Sequence, residues 1–198
     1  MKRLAALFSA LAVLFLLWSG WMLVRPHPGI MARLPEFPTR PGQGGYVPQT
    51  GPEEPARLTS PIERILVEKA ARRMTVFQQD GPPKTFRVAL GSSPRGDKSR
   101  QGDGRTPEGV FRIDRLNDRS RFHLSLGIDY PQRRHREAAR KAGIDPGGDI
   151  MIHGQPNQIP KGYRVRGDWT EGCIAILDDE IEEIYALARI GTEVEIRP

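Results

Sequence analysis

The chain has 198 residues, a formal net charge of +6, 38% hydrophobic residues and one cysteine. That length supports one domain with a buried core plus extensions. A single cysteine excludes an internal disulfide framework, and no C-x-x-C or H-x-x-x-H pair supports a zinc site.

The N-terminus starts with Met1-Lys2-Arg3, and Leu4 to Val24 then runs 21 residues without a charge. At about 1.5 Å per helical residue this is enough to cross a hydrocarbon core of about 30 Å. The run ends in Trp18, Trp21 and Arg25, which resemble interfacial anchors more than a signal-peptide exit. The expectation is an uncleaved single-pass anchor over residues 1–25 in the inner membrane. Lys2 and Arg3 would be cytoplasmic and the bulk of the chain periplasmic; a cleaved export signal is the alternative. Nucleic acid is a poor partner for a chain so placed.

Residues 26–61 contain nine of the 18 prolines together with Gly42, Gly44, Gly45 and Gly51. This composition predicts an extended, largely disordered tether. Residues 62–198 remain for a folded domain that reads mainly as strands: 64–68, 74–77 and 85–90 as an opening meander, 109–113 as a return, and 122–128 as a weaker alternation. Pro131 to Ala142 reads as a helix with Gly143 as its stop; its run Arg133-Arg134-His135-Arg136 reads first as a solvated face and second as a surface attractive to anionic wall polymer or lipid headgroups. Asp178 to Arg189 reads as a second helix with Ile181, Ile184, Tyr185 and Ala188 on one face. Thr192 to Ile196 closes the domain as a strand.

Cys173 carries the chemistry. It sits in Asp168-Trp169-Thr170-Glu171-Gly172-Cys173, before the strand-like Ile174-Ala175-Ile176, while His153-Gly154 ends the strand-like Ile150-Met151-Ile152. A thiol with an imidazole in hydrogen-bond reach is a nucleophile for acyl transfer. The two lie 20 positions apart, so their meeting requires a loop that returns the chain to a neighbouring strand. Amides of Gly172 and Cys173 are candidate oxyanion donors. Such a site is expected to hold a thiol with an acidic apparent pKa, whereas a buried structural cysteine would be inert.

These residues resemble the YkuD-type L,D-transpeptidases, whose hallmark is His-Gly followed, after about 14 to 17 residues, by Ser/Thr-His-Gly-Cys. Here 16 residues separate His153 from Thr170-Glu171-Gly172-Cys173, and Gly91, Lys98 and Gly102-Asp103-Gly104-Arg105-Thr106-Pro107-Glu108-Gly109 resemble the family's upstream segment. The resemblance, to a Gram-negative branch, implies a β-sandwich with a few short helices that acts on peptidoglycan stem peptides without metal or organic cofactor. It implies Cys173 as nucleophile, His153 as proton acceptor and donor, and Gly172 as an oxyanion amide. Gly154, Thr170, Glu171, Trp169 and Arg166 are expected at the substrate. Two departures stand out: Glu171 replaces the usual His, and Ala175 replaces a frequent Arg, for which Arg164 or Arg166 would substitute. Asp103 and Arg105 are expected to fix the turn before Thr106-Pro107. The alternatives are a hydrolase with the same site, releasing a wall-linked lipoprotein or trimming stems, and an inactive wall-binding module.

Overall fold

The computed structural model describes residues 46–48 and 57–198; the expected membrane anchor lies outside them. Among the described residues no helix is long and apolar enough to cross a membrane.

Alternating burial builds the first hairpin. Strand β2 (Ile62–Glu68) buries Ile62, Ile65 and Val67, and β3 (Arg73–Gln78) buries Met74 and Val76 opposite it. Three further strands, β4 (Lys84–Arg87), β5 (Gly109–Ser120) and β6 (His123–Ile128), precede the short β7 (Met151–His153) and β9 (Ile174–Ala175), and β10 (Glu193–Arg197) ends the chain. They form one eight-stranded sheet in the order β4-β3-β2-β10-β5-β6-β7-β9. Val194 and Ile196 of β10 fill the gap between β2, which is parallel to it, and β5, which is antiparallel.

The expected mainly-β domain with a few short helices is what forms, and in place of the expected β-sandwich its strands make one eight-stranded sheet that curls. β5 pairs first with β10 and then, past a register shift between Ile113 and Arg115, with β6, so one strand carries the chain from one half of the sheet to the other. Beyond β4 the backbone leaves β3 and reaches the opposite edge. Ala89 and Ala175 exchange N–H···O bonds of 2.9 and 2.8 Å, and Gly91 bridges Thr170. Twist brings the two edges together, and their pairing satisfies backbone groups that an open edge would expose.

Helix α1 (Arg133–Ala142) buries only Ala139, and the Arg133 side chain is 88% exposed, so the arginine run is a solvated face. Helix α2 (Asp178–Leu187) carries Asp178, Asp179 and Glu180 in its first turn, where the helix dipole favours acids. Its Ile181 and Ile184 are fully buried in the core with Leu126, Ile152 and Ile174. Lys84 holds Glu183 at 2.7 Å, and the Leu58 amide also donates to Glu183.

A second, two-stranded sheet pairs β1 (Tyr46–Pro48) with β8 (Tyr163–Val165), with Val47 opposite Arg164. The stretch expected to be a free tether therefore supplies a strand to the loop that leads to Cys173. Its end is also packed: Leu58 and Ser60 are buried, and the Ser60 hydroxyl donates to the Asp80 carbonyl at 2.8 Å.

Ile181→Ala should cost about 2–5 kcal/mol of stability, read as a lower denaturation midpoint at unchanged m-value. A chain beginning at Arg57 should exchange its amides faster around Arg164 while β2, β3 and β10 stay protected; equal exchange in β8 would show that β1 holds nothing.

Candidate active site

The parallel pairing of β7 with β9 sets Ile152 beside Ile174 and His153 beside Ala175. Both isoleucines are fully buried in the core. Alternation sends His153 and Ala175 to the other face, and Cys173, two residues before Ala175, shares it. Cys173 immediately precedes β9, so its segment runs next to β7, which ends in His153. The sheet thus joins residues that the sequence separates.

His153 is held on three sides. Its Nδ1 lies 2.7 Å from the Gly154 carbonyl oxygen, which only accepts, so Nδ1 carries the proton and Nε2 keeps its lone pair. The Phe122 ring stacks on the imidazole at 4.5 Å, and the Trp169 ring meets it edge-on at 5.7 Å. Burial pushes the His153 pKa down to about 4, against the opposing pull of the Gly154 carbonyl. Across the β6–β7 ladder stands Ser125, fully buried, its hydroxyl without a hydrogen-bond partner.

The Cys173 thiol donates to the Asp149 carbonyl oxygen at 3.4 Å rather than to the imidazole. Burial pushes it up to about 11; Asp149 and Glu171 add to this, while the Met151 backbone and Lys98 oppose it. The expectation of an acidic thiol is therefore corrected: at neutral pH the pair rests as thiol and neutral imidazole. Such a pair is activated by proton transfer during attack, with Nε2 as base, rather than by a standing thiolate.

Gly172 is required by close approach. It has φ +140°, and a Cβ there would stand 2.6 Å from the Arg105 carbonyl oxygen and 3.1 Å from Ile150 Cδ1. Its amide donates to Thr170 Oγ1 at 3.2 Å, and that hydroxyl donates to the Cys173 carbonyl at 2.7 Å. This corrects the expected assignments: the Gly172 amide is already engaged, which leaves the Cys173 amide as the oxyanion candidate, and buried Thr170 staples the turn instead of facing substrate. Gly154 is also buried; its amide donates to the Phe122 carbonyl at 3.1 Å, so it fixes the end of β7.

Glu171 is exposed and Trp169 half-buried, so both remain at the surface of the site. Arg166 is exposed and forms no hydrogen bond or ion pair with another described residue, and it lies in a separate concavity with Arg87 and Asp168. Arg164 does not replace the missing cation, being buried and bonded to Glu180 at 3.2 Å and to the Arg87 carbonyl at 2.7 Å. Asp103 fixes its turn as expected, accepting from Lys98 Nζ and from the amides of Ser99, Arg100 and Arg105. Burial raises its pKa, but those four donors outweigh burial and bring it to about 2. Phe122, Ser125 and Asp149 carry no site motif in the sequence, because they act through packing, cross-strand register and a main-chain carbonyl. Among the described residues no group of three or more His, Cys, Asp or Glu side chains is placed to hold a metal.

The model of the YkuD L,D-transpeptidase catalytic domain matches residues 62–196. The chain belongs to that family. YafK of Escherichia coli K12, an L,D-transpeptidase by name, is 27% identical over 134 residues, covering 65% of this chain and 47% of YafK. The chain thus spans about half the length of the curated relatives it matches. Two crystal structures of the helical cell shape determining protein Pgp2 of Campylobacter jejuni share the fold. One is a point variant, with TM-score 0.54 and 22% identity over 70% of this chain and 47% of that one; the other has TM-score 0.52 and 22% identity over 69% and 49%.

Alkylation of Cys173 should accelerate about tenfold per pH unit from pH 7 to 10; a plateau below pH 7 would show a standing thiolate. Asp103 is stabilising above its unfolded pKa near 3.8, and that contribution is lost as pH falls toward 2. Asp103→Asn should therefore lower stability near neutrality and flatten its decline between pH 4 and 2, as read by denaturant titration at each pH.

Proposed function

We propose that the domain is a cysteine acyltransferase of the L,D-transpeptidase type acting on peptidoglycan stem peptides, with Cys173 as nucleophile and His153 as its base and acid. The observation that carries this reading is the parallel β7–β9 register, which pairs His153 with Ala175, two residues after Cys173, within a YkuD domain. A χ1 rotation frees Sγ from the Asp149 carbonyl and turns it toward Nε2. Sulfur then attacks the carbonyl carbon between an L-centred diamino acid and a terminal D-residue as its proton passes to Nε2. The Cys173 amide faces the developing oxyanion. Collapse breaks the C–N bond, the imidazolium protonates the departing amine, and a thioester remains. An acceptor amine gives up a proton to Nε2 and attacks the thioester, and the thiolate leaves and recovers its proton from the imidazolium. Water in place of the amine makes the same site a hydrolase, on a stem or on a wall-linked lipoprotein.

The same proposal puts this domain on the periplasmic side of the inner membrane, a reading supported by the charge-free run from Leu4 to Val24, which is long enough to cross a bilayer.

Incubating the full-length chain with purified muropeptides, with and without an amine acceptor, should give exchanged or crosslinked products identifiable by mass. Cys173→Ala should abolish them, and His153→Gln should lower the rate by at least about 100-fold at an unchanged melting temperature. Product formation that survives Cys173→Ala would remove the mechanism. Activity should also fall below about pH 4, where His153 becomes protonated.

A further inference from the structure

A concavity separate from the Cys173 site, of about 170 Å³, has a wall that includes Arg72, Arg87, Ala89, Arg164, Arg166 and Asp168. Four arginines contribute to this wall, and two of them are paired with carboxylates. Arg72 grips Asp168 through Nε at 2.9 Å and Nη2 at 2.8 Å, and Arg164 pairs with Glu180 at 3.2 Å. Arg87, at the end of β4, and Arg166, after β8, are exposed and make no side-chain hydrogen bond or ion pair with any described residue. The Arg164 guanidinium also donates to the Arg87 carbonyl, which ties β8 to the end of β4. Its Nε–H is buried without a partner among the described residues. Uncompensated positive charges gathered in one recess repel each other and attract an anion, and the guanidinium fork matches a carboxylate.

The recess connects mechanically to the candidate active site. Ala89 exchanges both backbone bonds with Ala175, two residues beyond Cys173. Asp168 adjoins Trp169, whose ring meets His153. The three-residue step from Arg166 to Trp169 spans at most about 10–11 Å.

We propose that this recess is the carboxylate subsite for the peptide substrate, with Arg87 and Arg166 as binding cations and the Arg72–Asp168 and Arg164–Glu180 pairs as their frame. The proposal rests on the acyl-transfer reading above and supplies the cation that Ala175 does not.

The test uses the full-length chain carrying Cys173→Ala, titrated with a synthetic stem tetrapeptide bearing free carboxylates, the same peptide amidated, and inorganic phosphate as competitor. Arg87→Gln and Arg166→Gln should each weaken the free-carboxylate peptide about tenfold. Neither should change the already weak binding of the amidated form or the melting temperature. Equal affinity in all variants, equal binding of the amidated peptide, no peptide binding, or phosphate binding that the peptide does not displace would each overturn the subsite. In the chain with its thiol intact, the substitutions should raise KM about tenfold with kcat nearly unchanged. Cys173-dependent turnover with unaltered KM would refute the subsite and leave the acyl-transfer reading standing. Turnover that never depends on Cys173 would refute that reading whatever the arginines do.

Discussion

The two backbone hydrogen bonds between Ala89 and Ala175 carry more of this architecture than their number suggests. β9 is only two residues long, too short to hold a nucleophile in place by itself, and it is gripped on one side by β7 and on the other by the chain leaving β4. The same contact closes the curl of the sheet. The position of Cys173 is thus fixed by backbone pairing on both flanks, with Gly172 pressed against the Arg105 carbonyl behind it. Rigid placement on strands rather than on a free loop is what a reacting pair requires, because small displacements of the nucleophile cost large factors in rate.

Around that frame the chain places a base in an unusual electrostatic setting. Phe122, Trp169 and the buried Ser125 shield His153 from water, and Cys173 lies half-buried beside acidic neighbours. Both groups are consequently held neutral, at about 4 and about 11. A neutral thiol is protected against alkylation and oxidation, since the thiolate is the reactive form. Reactivity then appears only when a bound carbonyl lets charge move from sulfur to oxygen as the proton moves to Nε2. Glu171 strengthens this restraint. Its negative charge beside the thiol disfavours the thiolate in the resting state.

Much of this was legible in the sequence, and the failures share a cause. β2, β3, β10 and both helices follow from alternation, helical spacing and the Gly143 stop. His153 and Cys173 were evident from their flanking apolar triplets and from the family pattern. What was missed is made by pairing between distant segments. β1 and β8 are three-residue strands without a hydrophobic signature, and the segment from Asp114 to Ser120 extends β5 although its residues are mostly polar. The single curled sheet differs from the expected sandwich because a corner in β5 and the crossing at Ala89 are backbone events that composition does not encode. The resting engagement of the Gly172 amide was hidden for a related reason. The Thr170 hydroxyl that takes its amide is two residues away, and only the turn's geometry reveals the bond.

The central claim is that Cys173 forms a thioester with a peptide acyl group by handing its proton to His153. The most direct measurement is the mass of the full-length protein, quenched in acid within one turnover of a tetrapeptide donor in the absence of acceptor amine. The account predicts a species heavier by the acyl fragment, located on the peptide that contains Cys173, reversed by hydroxylamine and missing from His153→Gln. An unmodified Cys173 under conditions where the donor is being consumed would contradict it.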